Sequence, residues 1–159
     1  MRKLSHINNK NQVQMIDVTV KATTSRRAKA HGRVMMKKAT LDLIEMGQMT
    51  KGNVLGTAKI AGIMAAKKTS EMIPLCHPLE LTAIDVNLEI DHKNSCVIIE
   101  SEVKSIGKTG VEMEALTAVS AAALTVYDMC KAADKAMVIG EIMLMEKTGG
   151  KSGTFIRKQ

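Results

Sequence analysis

This chain is almost without aromatic residues: 159 residues hold one Tyr, one Phe and no Trp. RNA-recognition sheets stack bases on two or three strand aromatics. Here Tyr127 lies in a helical stretch and Phe155 near the C-terminus, which counts against an RNA-binding module. No apolar run approaches the roughly 20 residues of a membrane-spanning helix, and no apolar stretch follows the basic N-terminus as a signal peptide requires. Cysteine is scarce too. Cys76, Cys96 and Cys130 leave an odd thiol and no Cys-x-x-Cys spacing, which points to a reducing, cytoplasmic setting without a metal site. Pro74 and Pro78 are the only prolines.

What is present is aliphatic and basic. Hydrophobic residues make up 45% of the chain, so the core must be built from aliphatic side chains, with 13 Met as adaptable filler. The formal charge of +7 is uneven. Residues 1–38 carry ten Lys/Arg against Asp17 alone, whereas residues 80–114 carry eight acids. A basic segment of this kind suits a polyanionic partner, although residues 1–15 read equally well as a solvated arm.

Period and punctuation place the elements. Lys37 to Gln48 reads as a helix ended by Gly47, and Asn53 is a suitable N-cap for a second helix running to about Lys67. Ile84, Val86, Leu88 and Ile90 alternate with polar residues, as do Val97, Ile99 and Val103, with His92 to Ser95 as the turn of a hairpin. A long helix spans about Gly110 to Ala133, and a last strand spans Met137 to Met145. The order suits an α+β class, a ferredoxin-like antiparallel sheet with helices on one face. The expected organisation is a flexible basic arm over 1–14, one catalytic domain over 15–154 and a tail over 155–159.

Four groups of residues invite chemistry. Pro74 and Pro78 stiffen the stretch that carries Leu75, Cys76 and His77. Neighbours in extended chain point to opposite sides, so Cys76 and His77 do not pair with each other. His77 is either a hydrogen-bonded structural residue or a substrate contact able to move protons near neutrality. Thr109-x-x-Glu112 fits a capping box, and the helix dipole accounts for Glu114. Alternatively, the two carboxylates would accept N–H donors from a guanidine-like ligand edge. Asp128 and Lys131 are an i,i+3 surface pair, or, on a helix that is apolar nearly all round, a buried acid/base couple. Gly107-Lys108-Thr109 and Gly150-Lys151-Ser152 mimic a phosphate loop but lack its leading glycine, with Glu102 and Met145 in that position. Glu114 and Asp128 stand fourteen residues apart, hence ~21 Å along one helix, so a single ligand would reach both only between subunits.

Several long motifs then fall together. Thr24-Ser25-Arg26-Arg27-Ala28, Lys51-Gly52-Asn53, Ile73 to Leu79, Gly110 to Leu116, Tyr127 to Lys131 and Lys147 to Gly153 occur in one order. With them the chain closely resembles the molybdenum cofactor biosynthesis protein C family over about residues 15–154. The resemblance implies a hexamer arranged as a trimer of dimers, with sites between subunits. It also implies a nucleotide-derived substrate, 3′,8-cyclised dihydro-GTP, converted to cyclic pyranopterin monophosphate with loss of diphosphate. No cofactor is implied, although Mg²⁺ can accompany a triphosphate.

Carried onto this sequence, Asp128 is the catalytic position, with Lys51 and Lys131 as contributors. Leu75, Cys76, His77, Met113 and Glu114 contact substrate, and Arg26 and Lys147 contact phosphate. Our reading of the chemistry adds Glu112 to the ligand's N–H edge and gives His77 a part in catalysis. A regulatory oligomer that binds a nucleotide without turnover is the remaining reading, and it has no use for an acid/base couple at Asp128 and Lys131.

Overall fold

The computed structural model describes residues 10–158. Of the basic arm expected over residues 1–14, residues 1–9 lie outside the described residues and 10–14 are exposed. Strict alternation builds β1 (Thr24–Met35): Arg26, Ala28, Ala30, Gly32 and Val34 are buried, while Arg27, Lys29, His31 and Arg33 stand on the opposite face. This is the two-residue period of a strand covered on one side.

α1 (Lys38–Glu45) follows and stops where Gly47 takes a φ of +65°. Asn53 opens α2 (Val54–Lys67), its side-chain oxygen accepting from Gly56 N at 2.8 Å. A single turn, α3 (Thr69–Met72), leads into the proline-bracketed stretch. The expected hairpin forms from β2 (Leu81–Asp91) and β3 (Cys96–Gly107). α4 (Glu112–Cys130) and β4 (Val138–Thr148) complete the pattern. Phe155–Ile156, expected to belong to a tail, instead form β5 against Lys147 and Glu146.

The sheet runs β2-β3-β1-β4-β5 and all its pairs are antiparallel. β3 therefore lies between β1 and β2, and the helices α1 to α3 carry the chain over it in a split β-α-β path. This is the α+β class read from the sequence. α4 packs on β1, β3 and β4, and α2 lies beside it over β2. Gly62 permits the close approach of the two helices, since a Cβ there would sit 2.9 Å from the Ala118 carbonyl oxygen.

The core is aliphatic, as the composition requires. Val34, Leu41, Val86, Val97, Ile99, Val103, Val111, Val119 and Val126 are fully buried. Methionine departs from its expected role as filler: Met36, Met49, Met129 and Met137 are buried, whereas Met46, Met64, Met72 and Met113 are exposed. The exposed ones sit at a helix end or on the outer side of the helical layer, where nothing in the single chain covers them. Tyr127 uses its hydroxyl to donate to Lys135 O at 3.2 Å, behind the end of α4.

Candidate active site

The proline-bracketed stretch and the start of α4 enclose a cavity of about 300 Å³. Leu75, Cys76, His77 and Leu79 form one wall, and Thr109, Gly110, Glu112, Met113 and Glu114 another. The stretch is fixed at its start by a turn in which Cys76 N donates to Ile73 O at 3.0 Å. The third wall is Ile16, Val18 and Lys21, which sequence reasoning did not place here. Two bonds hold that segment down: the His77 Nε2–H donates to Ile16 O at 2.8 Å, and Lys108 Nζ donates to Thr19 O at 2.6 Å. A carbonyl can only accept, so the His77 Nε2 carries a proton and Nδ1 is the nitrogen left for another partner. The available signal was the Asp17-x-Thr19 turn, in which Thr19 N donates to Asp17 Oδ1 at 2.8 Å.

The capping box does not form. α4 begins without a side-chain cap bond, its N-cap residue is Val111, and the Glu112 carboxylate folds back over Gly110, where a Cβ would stand 1.9 Å from Oε2. Glu112 is thus free to face the cavity. Glu114 is 4% exposed. Burial, helped by the negative charge of Glu112, pushes its carboxyl up to about 6, the reverse of what a helix dipole alone would do. The Cys76 thiol is also pushed up, by burial and then by Glu114, which keeps it protonated and unsuited to act as a thiolate.

A second group gathers at the other end of α4. Asp128 accepts from Lys51 Nζ at 2.5 Å and from Lys131 Nζ at 2.7 Å, and Lys51 also donates to Asp128 O at 3.1 Å. The antiparallel packing of α2 on α4 explains the meeting: Lys51 precedes α2, and Asp128 lies near the end of α4. Burial was expected here and is absent. The three side chains are 46–54% exposed. The lysines, Lys131 first, hold the Asp128 carboxyl at about 2, and Asp128 raises Lys131 instead of lowering it toward neutrality. Leu124, on the same side of the helix, is 62% exposed, so α4, covered by the sheet and by α2, leaves open the strip that holds Leu124 and Asp128.

Arg26 and Lys147 form a third group. Lys147 lies opposite buried Ala28, two residues along the strand from Arg26, so both belong to the helix-covered face of the sheet. Arg26 Nε donates to Gly107 O at 3.2 Å, and Lys147 Nζ donates to Ser152 Oγ. Among the described residues one set, Asp42, Glu45 and His92, can offer three ligand atoms to a metal ion within 4.8 Å. It lies at the opposite end of β3 from the cavity. Lys38 Nζ donates to both Asp42 oxygens, at 3.0 and 2.8 Å, and within the set His92 Nε2 lies 3.2 Å from Glu45 Oε1.

The chain is similar to a well-populated group of proteins. A model of the MoaC family matches residues 15–150. A cyclic pyranopterin monophosphate synthase of Heliobacterium modesticaldum is 57% identical over 159 residues, the whole of both chains. One of Desulfitobacterium hafniense is 58% identical over 98% of this chain and 95% of its own. One of Listeria welshimeri is 57% identical over 96% and 94%.

Proposed function

The chain belongs to the MoaC family, and from that premise we propose that it is a cyclic pyranopterin monophosphate synthase. The reaction converts 3′,8-cyclo-7,8-dihydro-GTP to cyclic pyranopterin monophosphate and releases diphosphate in molybdenum cofactor biosynthesis, which makes the enzyme a lyase. Its setting is the cytoplasm, which fits three free thiols and the absence among the described residues of any helix long and apolar enough to cross a membrane.

The observation that carries this reading is the shared cavity of Leu75, Cys76, His77, Glu112, Met113 and Glu114. Two carboxylates facing a space of that size match the N–H donors along the guanidine edge of a purine or pterin. Glu114, poised near 6, can accept such a hydrogen bond when ionised and return a proton when not. The neutral Cys76 thiol and Met113 supply soft contact with the ring face.

The two ends of the ligand need different things. Opening and reclosing the purine-derived rings requires repeated proton transfers, which we assign to Lys131 and Lys51 around Asp128, with His77 at the cavity wall. Making a cyclic monophosphate from a triphosphate joins a ligand hydroxyl to the α-phosphorus as the bond to the β-phosphate breaks. Charge then builds on the leaving diphosphate, and fixed cations there lower the barrier. Arg26 and Lys147 take that role.

Glu114 and Asp128 lie ~21 Å apart along α4, too far for one ligand in one chain. We therefore infer that a second copy completes the site, and the trimer of dimers is the arrangement that the family resemblance implies. Cover from that copy would also remove the exposed Ile60, Met64 and Leu124 from water and bury the lysine–aspartate group, lowering lysine pKa values toward the working range. The test is turnover: the purified chain given the cyclised nucleotide should release one diphosphate per pterin formed. A chain that binds the nucleotide and releases none is not this enzyme.

A further inference from the structure

Arg26 is 8% exposed, yet among the described residues it forms no ion pair. Its Nε donates to Gly107 O, which leaves the two terminal nitrogens without a carboxylate. A nearly buried cation with no counter-ion is costly. The arrangement makes sense if an anion arrives from outside.

The seat of that guanidinium is backbone. Gly149 and Gly150 both take left-handed conformations, with φ of +91° and +75°. A Cβ on Gly149 would stand 2.1 Å from Ser25 O, and one on Gly150 would stand 1.7 Å from Arg26 Nη1. The first contact is with the backbone flanking Arg26 in β1 and cannot yield. The second is with the far end of a long side chain, which can. Gly149 thus holds the loop against the strand, while the bare Cα of Gly150 leaves room for the guanidinium. Gly153, in the same loop at φ +67°, has nothing within 4 Å.

We propose that Gly150 is a positioning residue: its missing side chain sets the Arg26 guanidinium, beside Lys147, as a receptor for the phosphate end of the substrate. The inference rests on reading that end of the ligand as a triphosphate. A side chain at Gly150 turns the fork of Arg26 away and leaves the fold in place.

Inorganic triphosphate is the probe, titrated calorimetrically into the full-length chain, with thermal melts reporting on folding. Gly150→Ala should weaken binding at least about tenfold, the size of one charge-assisted hydrogen bond. Gly150→Asn should do the same, since Asn tolerates the left-handed region and isolates the clash from backbone strain. Arg26→Gln should match them, and adding Gly150→Ala to it should cost nothing more, because both act on one group. Gly153→Ala, strained but unobstructed, should change binding less than about threefold, well under the loss of such a bond. Equal losses at Gly150 and Gly153, additive losses in the double variant, or no triphosphate binding by the unaltered chain would overturn the proposal. Turnover is scored separately. A chain that releases diphosphate but ignores Gly150→Ala keeps its enzymatic reading and loses this one, and a chain that binds triphosphate through Arg26 but turns nothing over does the reverse.

Discussion

The two ends of α4 carry carboxylates in opposite environments. At its start Glu114 is buried beside Cys76 and its carboxyl is raised to about 6. Near its end Asp128 lies half in water between two lysines and its carboxyl is held at about 2. One helix thus presents a carboxyl ready to change charge inside a finished cavity and a fixed charge on an open surface. The first end has its walls within one chain. The second has its charges but no walls, which is the form expected of a group that another copy must cover.

Removing the open group should have the largest effect on activity and the least on folding. Lys131→Met and Asp128→Ala should each lower kcat by about 10² to 10⁴, the usual worth of acid/base catalysis. The stability of the dissociated single chain should stay close to that of the unaltered one, since its ion pairs there are exposed and contribute little. Unchanged turnover with an intact fold would remove Lys131 from the chemistry and dissolve the comparison.

The buried end should answer in stability as well. Between about 4.5 and 6 the folded chain holds the Glu114 proton while the unfolded chain releases it, so stability should fall as pH rises through that window. Glu114→Gln should flatten the slope in urea titrations and stabilise the protein at pH 8 by up to about 2 kcal/mol, while impairing turnover. A destabilised variant with the slope intact would show that Glu114 is not strained by burial.

Acid should act on the other end with the opposite sign. Asp128 is depressed in the folded chain, so its contribution is present above the ordinary carboxylate range and fades as pH falls toward 2. Asp128→Asn should remove a small part of the acid sensitivity seen in unfolding curves. The smallest effect is expected from Glu102, on the uncovered face of the sheet, which pairs with Arg27 at 2.8 Å and Lys104 at 2.9 Å. Glu102→Gln should cost less than about 1 kcal/mol in urea unfolding and leave turnover unchanged.

Local pattern made much of this fold legible. The hairpin followed from alternation over Ile84–Ile90 and Val97–Val103, and Asn53 announced α2 by the bond it makes. What sequence missed was either too short or too distant for a periodic signal. α3 has four residues and β5 two, and β5 follows a glycine- and lysine-rich loop that reads as a tail. Lys51 meets Asp128 across 77 residues, and the cavity wall at Ile16–Lys21 has no apolar period. Thr109 and Glu112 matched a capping box by spacing alone, yet the chain turned at Val111 and left Glu112 to the cavity. Exposure at Asp128 escaped for another reason: apolar residues all round α4 predict cover without saying which chain supplies it.

The most direct measurement mixes two inactive variants, Glu114→Ala and Asp128→Ala, after reversible dissociation, and assays diphosphate release from the reassembled protein. If each pocket draws its carboxylates from two different copies, some pockets in the mixture regain both and activity returns to a measurable fraction of that of the unaltered chain. Activity that stays at the level of either variant alone, with mixed oligomers shown to have formed, would contradict a site that joins Glu114 of one copy to Asp128 of another.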